Sequence, residues 1–200
     1  MADYRAMKES LNTGMFYEAK DGENVIRVMT EPIKIFKVGP KSGWTKGTVR
    51  TYLLEKSVLV KEDEKSAPKF LTYVIDRSTG KLQLAEFGSM IMNQFIDLAL
   101  SREYGFTDIP PYDLTLTKTG VKLTTEYKLM PARNNTPILP EEKAMLASAK
   151  PVIDILMEDD TVFDKDAYRA SQALTEGDVV QASGSSTVNG KEVDLSSVPF

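Results

Sequence analysis

Between Ile33 and Lys56 the chain reads IKIFKVGPKSGWTKGTVRTYLLEK, and no other stretch limits the fold as strongly. Runs rich in β-branched and aromatic residues flank a segment holding Gly39, Pro40, Gly43 and Gly47, a composition that excludes a continuous helix and describes two strands joined by a long loop. The stretch carries Lys34, Lys37, Lys41, Lys46, Arg50 and Lys56 against one acid, Glu55, and its loop holds Trp44, the only tryptophan of the chain. A cationic loop with an aromatic at its tip has the chemistry to hold a sugar-phosphate backbone and stack on a base. A solvated hairpin, its lysines keeping an edge soluble and its tryptophan folded onto the core, accounts for the same residues.

The flanking sequence extends the β pattern. NVIRVMT alternates, breaks at Glu31-Pro32 and alternates again as IKIFKV, which describes one long, bent first strand. TVRTYLLEKSVLV is a second strand, EDEKSAP a charged turn closed by Pro68, and KFLTYVID a third strand. Asp76-Arg77-Ser78-Thr79-Gly80 turns the chain into the short segment KLQLAEF. The period then changes: Phe87, Ile91, Phe95 and Leu98, with Met90 and Ile96 beside them, describe a helix closing over the sheet. After Gly105 to Pro111, YDLTLTKTGVKLTTEYKLMP is a hairpin turning at Lys118-Thr119-Gly120, with Leu114 and Leu116 on one face and Leu123, Tyr127 and Leu129 on one face of the return strand. Strands, a helix, then a two-stranded hairpin is the element order of an OB-fold, a five-stranded barrel with its helix between strands 3 and 4, although other small β-barrels can be drawn the same way.

Charge divides the chain in the same place as pattern. Residues 1–138 carry a net charge of +3 and residues 139–200 a net charge of −7. The expected organisation is an N-terminal arm over 1–22 anchored by Tyr4, Met7 and Leu11, a barrel over 23–138, an acidic helical extension over 139–174 containing EEKAMLASAK and PVIDILM, and a disordered tail over 175–200. A basic body with an acidic tail suits a polyanion on the body and competition or recruitment by the tail. Without cysteine or histidine the chain has no disulfide, no thiolate zinc site and no imidazole base, which argues against an enzyme. No apolar run approaches the roughly 20 residues of a membrane span, and MADYRAMKES is too polar for a secretory signal, so a cytoplasmic protein is expected.

GENVIRV, the basic loop, VIDRSTGKLQLAEFG, a helix and PYDLTLTKTGVKLTTEYKLMPARNNTPI, in that order, resemble the bacteriophage single-stranded DNA-binding proteins with an OB-fold. The resemblance runs from Glu23 to Ile138. It implies a non-enzymatic protein that coats single-stranded DNA in phage DNA replication, repair or recombination, without a cofactor. It also implies that the acidic tail docks replication or recombination proteins through its tip, Val198, Pro199 and Phe200. A homo-oligomer is left open. Zinc-binding members of the family use cysteine and histidine, which this chain lacks. The tail also departs from the family at its extreme end, where Lys191 offsets part of Glu192 and Asp194.

On an OB-fold the ligand face lies on strands 2 and 3 between two loops, here Val38 to Thr48 and Thr117 to Lys122. Lys34, Lys37, Lys41, Lys46, Arg50, Lys118 and Lys122 would neutralise phosphates, Trp44 and Tyr52 would stack on bases, and Tyr73, whose phase on the third strand is ambiguous against Leu71 and Ile75, is a further candidate contact. The alternative in another class is a structural or adaptor β-barrel of a phage whose basic loop binds an acidic protein. An enzyme holding a hard metal on Asp76, Glu86 or Asp113 is a third reading, although turn chemistry explains aspartates at such places.

Overall fold

The computed structural model describes residues 16–44, 48–55, 60–121 and 124–181, with side chains as far as residue 174. The anchors Tyr4, Met7 and Leu11 of the expected arm, and the tail from residue 182, lie outside the described residues. The chain forms two compact units, 1–163 and 164–200. The first contains β1 (Gly22–Val28), β2 (Ile33–Pro40), β3 (Arg50–Tyr52), β4 (Glu64–Asp76), β5 (Lys81–Gly88), α1 (Ser89–Ala99), β6 (Leu114–Thr119), β7 (Glu126–Pro131), α2 (Pro140–Ser148) and α3 (Val152–Glu158). The second contains α4 (Lys165–Gln181), where Asp166 accepts from Arg169 one turn on.

The strands make one antiparallel sheet in the order β3-β2-β4-β1-β6-β7, with β5 also on β4. Along one edge of β4, residues from Glu64 to Leu71 pair with β2 and residues from Val74 to Asp76 pair with β1. β1 and β2 therefore form the bent strand that the alternation describes, broken at Met29–Pro32. Side-chain oxygens fill the gap in the ladder: Tyr73 N donates to Thr30 Oγ1 at 3.0 Å, and the fully buried Thr72 hydroxyl donates to Thr30 O. At the far end of β4, Asp76 Oδ1 accepts from the Ser78 amide and hydroxyl and Oδ2 from Thr79, which builds the predicted turn, with Gly80 at φ +68°. The β6–β7 turn also requires glycine: Gly120 sits at φ +78°, and a Cβ there would meet Thr124 O at 2.1 Å.

The structure corrects the OB-fold expectation in three respects. EDEKSAP is not wholly a turn, because β4 begins at Glu64 and runs through Pro68. Proline is tolerated there because pairing with β5 starts only at Lys69, leaving one side of β4 an edge. KLQLAEF is a full strand along β4, so the helix falls between β5 and β6 and not between strands 3 and 4. Finally, the sheet is open and is not a closed five-stranded barrel. The reason lies on α1, where the Gln94 carboxamide donates to Tyr127 O at 2.9 Å and accepts from Leu129 N at 2.8 Å. A side chain thus occupies β7 backbone groups that a closing strand would need. The other two edges are bridged by short segments: Tyr17 N donates to Leu84 O on β5, and Thr51 of β3 exchanges hydrogen bonds with Thr161 and Phe163.

α1 buries Ile91, Met92 and Phe95 against Ile26, Val28, Val74, Ala85, Phe87, Leu114, Leu116 and Leu129. Ile91 and Phe95 face inward as their i, i+4 spacing predicts, and Met92 joins them, whereas Met90 and Ile96, expected beside that series, are exposed. The opposite face of the sheet holds a polar lock. Asp113, 0% exposed, accepts from Arg27 Nε at 2.8 Å, from Arg77 Nε at 3.0 Å and from the Thr136 amide at 2.9 Å. Arg27 and Arg77 both donate to Thr136 O, Arg27 also donates to Asn135 Oδ1, and Arg77 reaches Glu142 on α2. Two guanidinium groups and two carboxylates thus fasten the loop after β7 and the start of α2 to the sheet.

Asp113→Ala leaves both arginines facing an emptied buried site, and chemical denaturation should show a loss of about 3 to 5 kcal/mol. Asp76 gives a pH signature: burial raises its carboxyl pKa, but the hydrogen bonds from Ser78 and Thr79, with Lys20 nearby, outweigh burial and hold it below the ordinary value. Its contribution to stability is complete above the unfolded carboxylate value of about 3.9 and is lost as pH falls through the lower folded one. Acid unfolding of Asp76→Asn should therefore show a shallower loss of stability across that window than wild type.

Candidate nucleic-acid interface

Register decides which side chains share a face, because residues directly opposite in an antiparallel pair point the same way. Lys37 lies opposite Ala67, Gly39 opposite Lys65 and Ile35 opposite Lys69. One face of β2 and β4 therefore carries Lys37, Lys65 and Lys69, and Glu86 joins them from β5, where it lies opposite Leu71. Glu86 Oε2 accepts from Lys37, and its Oε1 lies 3.4 Å from Lys69 Nζ. All three side chains keep between 26% and 30% of their surface open to solvent.

Trp44 belongs to the same face. A Cβ on Gly39 would lie 3.2 Å from the indole Cδ1 and 3.3 Å from Nε1, so the ring packs over the bare backbone of Gly39. Lys65 Nζ stands over the ring, 5.7 Å from its centroid, a cation–π geometry. The indole N–H is buried and makes no hydrogen bond among the described residues. Packing and one cation thus hold the half-buried ring in place.

The other expected contacts fall in different places. Lys41 is exposed beside this face and donates to Glu62 O at 2.6 Å. Lys34 points to the opposite face, over the Phe36 ring at 4.8 Å. Arg50 and Tyr52 share that opposite face, as their parity predicts, but Arg50 is paired with Glu64. Tyr52 is 6% exposed, set opposite Phe36 and near the Phe163 ring at 5.8 Å. Tyr73 has the parity of Lys69 but is 7% exposed; its hydroxyl donates to Lys150 O, and burial raises its pKa. Neither tyrosine presents a ring face to solvent. Lys118 lies on β6, away from β2, where the bond to Asp21 at 3.1 Å holds its ammonium pKa above the ordinary value. Lys46, Lys122, Val198, Pro199 and Phe200 lie outside the described residues.

Lys65 and Lys69 are the residues that reading the sequence missed. The i, i+2 run Lys65, Ala67, Lys69, Leu71, Tyr73 was the available signal, hidden because Pro68 read as the end of a turn. The three carboxylates considered as metal ligands have other partners: Asp76 the turn hydroxyls, Glu86 the two lysines and Asp113 the two arginines. Among the described residues, no helix is long and apolar enough to cross a membrane. Compared with known families, curated proteins and solved structures, the chain gives no match.

Gly39→Val places a branched side chain where the indole lies. The single tryptophan reports the result directly: its emission should shift to longer wavelength as the ring is driven into water, with the overall circular dichroism little changed.

Proposed function

We propose that this chain binds single-stranded DNA independently of sequence and without catalysing a reaction, through the Lys37, Lys65, Lys69 and Trp44 face. The observation that carries the reading is the placement of three lysines and the only tryptophan on one face of β2 and β4. A base exchanging with Lys65 over the indole gains stacking worth roughly 1 to 3 kcal/mol, a contact every base can make. Phosphates on either side of it meet Lys37, Lys69 and Lys41. Tyr52 and Tyr73, buried as they are, have no part in this scheme. GENVIRV and the PYDLTLTKTG to KLMP hairpin, two of the segments that resemble the phage family, support coating of single strands in replication, repair or recombination. The net charge of −7 over residues 139–200 supports a role for the tail, through Val198 to Phe200, in meeting basic surfaces of partner proteins.

Titration of tryptophan emission with oligo-dT, and with duplex of equal length, tests the reading. Oligo-dT should quench Trp44 and duplex should not. With these three lysine–phosphate contacts, log K should fall with log salt at a slope of about −2. No quenching and no gel shift at low salt would overturn the proposal. One observation favours a second reading, an adaptor for an acidic protein: Lys37 and Lys69 already hold a carboxylate.

A further inference from the structure

Glu86 is the acid that contacts two lysines of this face, and its position has a chemical meaning that a solvated cross-strand ion pair does not require. It contacts two ammonium groups with two different oxygens, Oε2 toward Lys37 and Oε1 toward Lys69. A phosphodiester offers the same arrangement, two non-bridging oxygens sharing one negative charge. Glu86 arrives from β5, while the lysines stand on β2 and β4, so the carboxylate spans three adjacent strands at their shared face. Lys65, the next cation along this face, is held over Trp44.

We infer that Glu86 occupies the position of a nucleic-acid phosphate and competes with it, so that this one side chain sets the affinity of the site. The inference rests on the single-strand reading above and adds its regulation. In the free protein, Lys37 and Lys69 are satisfied by Glu86 and the base platform is covered by Lys65. Binding exchanges both contacts together: a phosphate displaces the carboxylate, and a base displaces the ammonium from the indole. A strand that offers phosphate without an accessible base face, as a duplex does, makes only half of the exchange. Glu86 therefore weakens attachment to duplex DNA, whose bases are stacked on one another, in proportion to the affinity it withholds from the lysines.

The test compares Glu86→Gln, which keeps length and shape, with Glu23→Gln, which removes one charge from an exposed position on β1, a strand that carries none of these lysines. Glu86→Ala serves as a second variant at the same position. The readout is oligo-dT affinity by tryptophan quenching and by gel shift, with duplex measured alongside. Relief of an exposed ion pair is expected to tighten oligo-dT binding about threefold to fivefold. Glu23→Gln should produce a smaller change, and the gain should disappear when Glu86→Gln is combined with Lys37→Gln and Lys69→Gln. Duplex, whose phosphates displace the same carboxylate, should gain by about the same factor. If wild type binds oligo-dT and neither Glu86 variant binds more tightly, the role of Glu86 is overturned and the single-strand reading stands. A gain that persists without the two lysines overturns it as well, because general charge then explains the effect. Absence of oligo-dT binding by wild type overturns both.

Discussion

The buried carboxylate of Asp113 is the interaction on which the arrangement of this sheet and its flanking loop depends. It stands at the start of β6 and takes hydrogen bonds from Arg27 on β1, Arg77 at the β4–β5 turn and the amide of Thr136 after β7. Removed from water, each of these charges alone would cost several kcal/mol. Together, and with Glu142 closing the set, they are neutral and hydrogen-bonded. The geometry has few alternatives: a guanidinium fork bonds both a carboxylate and a carbonyl only when strand, turn and loop are in register.

Around that lock, the sheet is shaped by how its edges end. A strand at an edge leaves backbone groups unpaired, and this fold covers its edges with pieces too short to be strands. Gln94 serves β7, Phe16 and Tyr17 serve β5, and Thr161 to Phe163 serve β3. Because an amide side chain ends the ladder at β7, the sheet stays open where a fifth-strand closure would have made a barrel. The stretch of β4 from Glu64 to Pro68 keeps one free edge. It brings Lys65 beside β2, and Lys69 follows it where pairing with β5 begins.

On the lysine face the balance is electrostatic, and it is close. Its cations are engaged, but by partners that solvent reaches: Glu86 for Lys37 and Lys69, a backbone carbonyl for Lys41 and an indole for Lys65. Such contacts are worth a kcal/mol or less each and are weakened by salt. They can be broken without disturbing the core, whereas those of the arginines around Asp113 cannot. The two sets of charged residues thus divide by burial into a structural group and an exchangeable one.

Much of the architecture was legible in the chain itself. Period-two alternation marked β1, β2, β6 and β7, Glu31-Pro32 marked the bend, Asp76 to Gly80 marked the turn, and the i, i+4 series at Ile91 and Phe95 marked α1. These are local signals, set by backbone geometry and by which side of an element must be apolar. The remainder was decided at a distance. Glu64 to Pro68 joined a strand because β2 was available to pair with it, and Gln94 ended the sheet because α1 brought it to β7. Tyr52 and Tyr73, aromatic and at fitting parity, were buried by Phe163 and by the chain near Lys150. Asp113 found two arginines 36 and 86 residues away. The sequence by itself determined the local periods of β1, β2, β6, β7 and α1 and the turn at Asp76, and that lysines surround the one tryptophan. Only the tertiary structure decided which lysines share its face and which carboxylate holds them, because face and pairing follow from strand register between segments far apart in the chain.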